Sequence, residues 1–297
     1  MTRRDFLTVT ATAAAAMTLA PTAAAATRRP LKKAIMLGTV DGKLTLLEKC
    51  QLLKEAGFDG FEPDSHMDRA EVLKARDASG LAVASVCDSI HWSKHLTAAD
   101  PAVRAEGLEG LKIALRDAKA YGATSVLLVP GVVDENVTYA QAWERSQAEV
   151  RKAVPLAEEL GVRIAFENVW NNFILSPIEA ARYVDDFKSS AVGWHFDIGN
   201  VGRYGWAEQW IPVLGKRISR LHFKEFSKQK MEKEGLWNGF NADYLDGDNR
   251  WPAIMKALDD IGYTGWAIAE PAYAPKGVET GPRLKQISAK LDQILAL

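Results

Sequence analysis

Four apolar runs in this sequence each end close to a residue that can bind a metal ion or transfer a proton. The runs RIAFEN, AVGWHFDIGN, RISRLHFKEF and GWAIAEP carry Glu167, Asp197, His222 and Glu270 near their ends. Carboxylate and imidazole groups are the hard and borderline ligands that Mn²⁺, Mg²⁺, Co²⁺ and Zn²⁺ accept, and they also act as general acids and bases. Polar groups of this type need a reason at the ends of apolar runs, and together they indicate one site.

The four runs have the length and composition of strands that are buried on both faces. Such strands are typical of parallel sheets covered by helices. Side chains alternate along a strand, so His195 should share the direction of Asp197, and Lys224 that of His222. His195, one layer deeper than Asp197, is expected to be a core or supporting histidine rather than a ligand.

One local pattern repeats along the chain: an amphipathic helix, a glycine, and at once an apolar run. Glycine suits the residue after a helix because it adopts the left-handed conformation without steric cost. The pattern predicts six strands, one after each of these glycines: Gly57, Gly80, Gly122, Gly161, Gly215 and Gly262. The runs KKAIMLG at 32–38 and AVGWHFD at 191–197 add two more strands and bring the total to eight.

Helix starts are marked as clearly as helix ends. Ser and Thr followed three residues later by Glu or Gln form capping boxes, and proline is tolerated in a first turn. These signals predict helix starts at Thr138, Ser176-Pro177, Asp100-Pro101 and Gly281-Pro282.

Eight alternating strands and helices predict an α/β fold, a single (β/α)8 TIM barrel. The alternative is an open doubly wound sheet, but no nucleotide motif supports it: Gly38–Leu44 is one residue short of a P-loop and has Leu44 where Ser or Thr would bind magnesium. Active sites of such barrels lie at the C-terminal ends of the strands, which is where all four candidate residues fall.

Residues 1–26 read as a twin-arginine signal peptide. Arg3-Arg4 precedes Phe6-Leu7, an Ala/Thr-rich run follows, and Ala24-Ala25-Ala26 resembles a cleavage site. A Sec signal or an anchor helix is the alternative. We expect a periplasmic protein in which residues 27–297 form the barrel domain, with no membrane segment after signal removal.

Charge and cysteine content limit the binding partners and the cross-links that we expect. The net charge is −1 at pH 7, and no basic excess recommends nucleic acid. Cys50 and Cys87 are expected to remain unbridged, because a chain of this length can bury a core without a disulfide. Assembly into a homo-oligomer stays open.

The segments AFENVW, HFDIGN, HFKEF and AIAEP, in this order and spacing, resemble the xylose-isomerase-like TIM barrels that include sugar phosphate isomerases and epimerases. The likeness covers essentially residues 27–297 and is greatest to the branch of L-xylulose-5-phosphate 3-epimerase, which has a third-strand segment similar to SVCDSIH at 85–91. This resemblance implies that Glu167, Asp197, His222 and Glu270 hold one divalent metal ion and that both glutamates move protons.

Isomerising or epimerising a sugar requires removal of a proton α to a carbonyl. The resulting enediolate is stabilised when a divalent ion binds both of its oxygens. Glu167 and Glu270 lie on the fifth and eighth predicted strands, so they could act on opposite faces of a ketose.

Other side chains near strand ends are candidates for contact with a carbohydrate substrate. Lys224 could hold a substrate oxygen, or instead pair with a carboxylate. Five further residues are predicted to contact the substrate, with a structural role as the alternative for each: His91, Glu62, His66, Trp92 and Trp170. His95 is expected to be solvated.

The segment Lys224–Arg250 is too long for an ordinary loop and is predicted to be a lid. Its aromatic residues Trp237, Phe240 and Tyr244 could stack on a sugar or pack the segment onto the barrel.

The sequence leaves several functions open. A metal-dependent isomerase or epimerase of a sugar or keto-sugar is the leading hypothesis. A periplasmic lyase or hydratase could use the same metal and proton abstraction on a 3-keto-glycoside, and a non-catalytic sugar-binding barrel is a third possibility. The nuclease relatives of this superfamily use many histidines and several zinc ions, which five histidines and a balanced charge do not favour.

Overall fold

The computed structural model describes residues 29–40, 43–274 and 277–297. The predicted signal peptide at 1–26 lies outside these residues. Within them, helices and short strands alternate in eight βα units. The strands are β1 Lys32–Ile35, β2 Gly60–Phe61, β3 Ala82–Val83, β4 Val86–Cys87, β5 Ser125–Leu128, β6 Arg163–Glu167, β7 Val192–Asp197, β8 Ile218–Phe223 and β9 Trp266–Ala269.

The third predicted strand is present as two short pieces, β3 and β4, separated by Ala84-Ser85. This accounts for nine strands in eight units. The helices are α1 Leu46–Glu55, α2 Arg69–Ser79, α3 Pro101–Tyr121, α4 Tyr139–Leu160, α5 Pro177–Asp185, α6 Ile198–Val201, α7 Ala207–Leu214, α8 Lys228–Glu234, α9 Trp251–Asp260 and α10 Thr280–Leu295.

The predicted helix starts are confirmed at three places. Thr138 forms a capping box with Gln141, and the side chains of Ser176 and Asp100 accept hydrogen bonds from backbone N–H groups of the first turns of α5 and α3. The last helix begins at Thr280 rather than at Gly281, one residue before the predicted start. At the other ends, Gly122 and Gly161 have φ of 79° and 65°, the left-handed cap that the glycine pattern predicts.

The sheet closes into a barrel. Seven parallel strands are ordered β1-β9-β8-β7-β6-β5-β4, and β2 pairs with β3. The segment of β2 also joins both edges of the larger sheet, because Glu62 N donates to Ile35 O at 2.9 Å and Cys87 N donates to Pro63 O at 2.9 Å. Both free edges are thereby paired, and the open doubly wound alternative is excluded.

Aromatic side chains attach the outer helices to the barrel. Phe166 of β6 meets Tyr183 of α5 with ring centroids 4.9 Å apart, and Phe196 of β7 stacks on Trp210 of α7 at 6.0 Å. These side chains point outward, so their neighbours Glu167, His195 and Asp197 point into the barrel. Cys50 and Cys87 are buried and free, as predicted. In the described parts of the chain, no helix has the length and apolar character needed to cross a membrane.

Candidate metal centre and its cavity

Four side chains from neighbouring strands meet at the barrel mouth, the end at which the strands finish. Glu167 ends β6, Asp197 ends β7, His222 lies near the end of β8, and Glu270 directly follows β9. One ligand atom from each residue lies within 4.8 Å of the others. His222 Nδ1 is 3.0 Å from Glu167 Oε1, 2.9 Å from Glu270 Oε2 and 3.9 Å from Asp197 Oδ2. We call these four residues the metal cluster.

The strand register explains this convergence. Asp197 pairs directly with His222 across the β7–β8 ladder, and Glu167 pairs with His195, two residues before Asp197. Glu270 N donates to Phe223 O at 2.9 Å, which places Glu270 beside the end of β8. Asp197 also caps α6, because its Oδ1 accepts a hydrogen bond from Asn200 N at 2.7 Å. Its second oxygen, Oδ2, is buried and has no hydrogen-bond partner among the residues that the structure describes. A buried carboxylate oxygen of this kind needs a cation or a donor.

The electrostatics of the cluster favour a cation. Burial raises the pKa of Asp197 well above its ordinary value and also raises that of Glu167. Burial acts against a charged His222, yet the surrounding carboxylates, Glu62 foremost, raise its pKa well above the usual value. The cluster therefore has three carboxylates and one imidazole, and one carboxylate oxygen, Asp197 Oδ2, lacks a hydrogen-bond partner among the described residues. Such a donor set can hold a divalent metal ion.

Lys224 lies beside the metal cluster and is paired with carboxylates. Its Nζ donates to Glu270 Oε1 at 2.6 Å and lies 3.7 Å from Asp197 Oδ2. Burial acts to raise the pKa of Glu270, but the charges and hydrogen bonds of Lys224 and His222 together lower it. The ion-pair alternative for Lys224 is therefore the observed arrangement, although the side chain also lines the cavity.

Glu62 supports His222 from below. Its Oε2 accepts from His222 Nε2 at 2.8 Å, and the carboxylate is fully buried. A proton on Nε2 leaves the lone pair of Nδ1 for the metal cluster, the orientation that outer carboxylates commonly impose on metal-binding histidines. The predicted substrate contact of Glu62 is not supported, because its side chain points beneath the cluster and is not among the residues that line the cavity.

His195 is also fully buried, as expected for a core histidine. Its ring contacts that of His222 edge-on, with centroids 4.2 Å apart. Within the described part of the chain, neither ring nitrogen has a hydrogen-bond partner. Burial lowers its pKa well below the ordinary value, so the ring is neutral beside His222.

Two asparagines that the sequence interpretation did not single out as functional brace the cluster. Asn168 Nδ2 donates to Asp197 O at 2.8 Å, and Asn168 Oδ1 accepts from Asp197 N at 3.0 Å. Asn200 Nδ2 in turn donates to Asn168 O at 2.9 Å. The sequence signal for this role is the position of Asn168, a polar residue that directly follows Glu167 at the end of the apolar run RIAFEN.

A cavity of about 480 Å³ opens above the metal cluster, within the size range of small-molecule sites. Among the predicted contact residues, His91, Trp92, Trp170 and Lys224 line it together with Glu167, His222 and Glu270. His91 is buried, its pKa is lowered by burial to about 3, and its Nδ1 accepts from Val129 N at 3.3 Å. The neutral ring therefore carries its proton on Nε2.

His66 is not brought to the cavity. Its exposed ring contacts Ser65 Oγ at 2.7 Å and Ser89 Oγ at 3.1 Å, and the residue has a φ of 64°, which turns the chain away after β2. The structure gives no support to a substrate contact here. His95 is only half-buried, and its Nδ1 lies 2.9 Å from Thr97 Oγ1.

The predicted lid, Lys224–Arg250, contains α8 and a 3-10 turn at Leu236–Asn241. Trp237 and Phe240 of this lid segment line the cavity and contact Trp170, with centroids 5.0 and 4.7 Å from its ring. Tyr244 instead is buried and donates from its hydroxyl to Phe223 O at 2.5 Å. The segment thus has two aromatic residues on the cavity and one that fixes it to the barrel.

Residues 50–293 match the family of xylose isomerase-like TIM barrels. The chain belongs to this family. The family resemblance drawn from the strand-end motifs is thereby confirmed.

Proteins that are similar to this chain in sequence include a sugar epimerase and a dehydratase. L-ribulose-5-phosphate 3-epimerase UlaE of Escherichia coli O1:K1 / APEC is 27% identical over 258 residues, covering 81% of this chain and 88% of that protein. Inosose dehydratase of Lacticaseibacillus casei is 25% identical over 162 residues, covering 50% of this chain and 54% of that protein.

Solved structures share the fold. The structure of L-ribulose 3-epimerase superposes with a TM-score of 0.74 at 18% identity, covering 89% of this chain and 94% of that one. The apo form of 3-keto-D-glucoside 4-epimerase from E. coli gives a TM-score of 0.73 at 16% identity, covering 89% and 99%.

Proposed function

We propose that this protein is a metal-dependent isomerase or epimerase of a sugar or keto-sugar. The observation that carries the proposal is the arrangement of Glu167 and Glu270, which come from β6 and β9, three positions apart in the sheet, and lie 3.0 and 2.9 Å from His222 Nδ1. Two carboxylates that reach one position from different strands can divide the removal and the return of a proton. Kinship with sugar epimerases supports the same reaction class.

A divalent ion held by the metal cluster would supply Lewis acidity that makes the proton α to a carbonyl easier to remove. Glu167 and Glu270 then divide the work of taking and returning this proton. Lys224 keeps Glu270 ionised through its 2.6 Å hydrogen bond. His91, protonated on Nε2, lines the same cavity and offers a neutral donor to a substrate oxygen.

Proton exchange tests this function directly. The metal-loaded protein is incubated in D₂O with a panel of ketoses, their phosphates and 3-keto-glycosides, and the products are followed by NMR. We expect deuterium to enter α to the carbonyl and an epimer or isomer to accumulate. Absence of exchange with every member of the panel would contradict the proposal.

The same experiment separates a second candidate. Similarity to inosose dehydratase over half the chain favours a lyase or hydratase that starts with the same proton abstraction. Loss of water or of a leaving group from the β-carbon would identify that reaction. Tight metal binding without any turnover would instead identify a sugar-binding barrel.

We also propose export through the twin-arginine route, on the evidence of Arg3-Arg4 and the small-residue site that follows. This route carries folded proteins, so a metal ion could be bound before transport. Replacing both arginines by lysine should leave precursor in the cytoplasm. Normal periplasmic accumulation of that double variant would contradict the proposal.

A further inference from the structure

Three large aromatic side chains stand exposed around the cavity opening. Trp92 is 52% exposed, Trp237 65% and Tyr273 78%, although all three line the cavity. We call them the rim aromatics. The ligand residues below them are mostly buried, with Asp197 at 0% and His222 at 1%. Exposed aromatic surface that borders a concave site is typical of a ligand contact.

One of these rings is held in place by a continuous aromatic wall. Trp237 packs on Trp170 with centroids 5.0 Å apart, and Trp170 Nε1 donates to Asn200 O at 2.9 Å. Asn200 N in turn donates to Asp197 of the metal cluster. The wall therefore runs from a metal ligand to the rim, so a ligand bound at the cluster can extend along it.

The charge of the lining restricts what can bind at the rim. Apart from its two histidines, the described part of the cavity lining has one cationic side chain, Lys224, which is paired with Glu270 at 2.6 Å and lies 3.7 Å from Asp197. The two carboxyl groups of the lining, those of Glu167 and Glu270, belong to the metal cluster. The guanidinium of Arg203 lies 5.0 Å from the centroid of the Trp170 ring, but Arg203 does not line the cavity. The lining at the rim offers flat apolar faces, with Thr39 and Asn241 as polar groups, and these suit an uncharged ring better than a phosphate.

We propose that the rim aromatics form a subsite for a second, uncharged ring of the substrate. The substrate class is then a keto-sugar glycosidically linked to another ring, not a sugar phosphate. This inference rests on the proposed function only in placing the sugar part at the metal cluster.

Ligands that share one ketose test the subsite without requiring turnover. D-fructose, fructose 6-phosphate, and the neutral disaccharides isomaltulose and leucrose, in which fructose carries a glucosyl ring, are titrated into the Mn²⁺-loaded protein by calorimetry. We expect at least one disaccharide to bind roughly tenfold or more tighter than fructose, the effect of one or two stacked rings. Fructose 6-phosphate should bind no tighter than fructose.

Three tryptophan variants locate the effect. Trp92→Ala and Trp237→Ala should each lower the disaccharide-to-fructose affinity ratio by roughly 2- to 10-fold. Trp206→Ala is the matched control, because Trp206 is 49% exposed but lies outside the cavity under the ammonium group of Lys228.

Three results would overturn the subsite: equal affinity for fructose and both disaccharides, preference for the phosphate, or an equal loss in the control. The D₂O exchange experiment is independent of all three, so failure of the subsite and failure of the proposed function are distinguishable.

Discussion

The metal cluster and the rim aromatics occupy one cavity but are supported in different ways. Each ligand of the cluster ends or adjoins a strand, and parallel pairing fixes Asp197 opposite His222. The rim aromatics come from segments after strands. Trp92 packs edge-on against His91 at 5.7 Å and Trp237 packs on Trp170 at 5.0 Å, and both of these partners are hydrogen-bonded. Rigid strand ends suit groups whose geometry must be held within fractions of an ångström, while connecting segments can vary to suit a substrate.

The largest effect expected is at the cluster. Glu167→Gln and Glu270→Gln should each lower turnover by roughly 10²- to 10⁴-fold, because an amide cannot act as a base. One variant can still exchange the α-proton with D₂O if the two bases act on opposite faces. Exposed Glu144→Gln on α4 is the control. A loss below tenfold in both cluster variants would show that these glutamates are not the proton-transfer pair.

The metal content of purified variants distinguishes the metal ligands from residues outside the cluster. Asp197→Asn and His222→Ala should lower the metal found by elemental analysis of purified protein, and lower the melting temperature only as far as bound metal stabilises the fold. His66→Ala, outside the cavity, should retain the wild-type metal content. Full occupancy in both cluster variants would refute the ligand assignment.

The support below His222 should have an intermediate effect. Glu62→Ala removes the acceptor of His222 Nε2–H and should weaken metal binding roughly 10- to 100-fold. Glu62→Gln keeps an acceptor oxygen and should restore most of the affinity, measured by competition with a chelator. Equal losses in both variants would indicate that the negative charge, rather than orientation of the ring, is what matters.

Asp88 tests the stability of the fold rather than activity or metal binding. Its carboxylate is buried, Oδ1 accepts from Ile90 N at 3.2 Å, and burial raises its pKa to about 7. The folded state therefore holds this proton more tightly than the unfolded chain, so the contribution of Asp88 to wild-type stability should fall as pH rises from about 4 to about 7.

Asp88→Asn cannot ionise and should lack this fall, becoming relatively more stable at pH 8 than at pH 4 by up to a few kcal/mol. Thermal unfolding at both pH values, with exposed Asp77→Asn as control, measures it. An unchanged difference between Asp88→Asn and wild type at the two pH values would exclude ionisation of Asp88 as the cause.

The sequence predicts the barrel and the cluster because both follow from local rules. Glycine-marked helix ends and apolar runs set the eight units, and strand alternation places Glu167, Asp197 and His222 inward. Glu62 and His66 lie in the same segment after β2, yet one turns beneath His222 and the other away to Ser65. Alternation cannot resolve this, because β2 is short and His66 has positive φ. Tyr273 lies past a strand end in irregular backbone, where no periodicity applies.

The shortness of β2 has a consequence for local opening of the fold. β2 spans two residues, whereas β7 and β8 span six each, yet β2 joins the two edges of the larger sheet. Local fluctuations open the least paired region first. In amide hydrogen exchange, the amides of Glu62 and Cys87 should therefore lose protection before those of Trp194 and Leu221. The barrel is therefore expected to be locally less stable around Glu62 than around Asp197 and His222. On warming, the segment that carries Glu62 should open before the strands that carry Asp197 and His222.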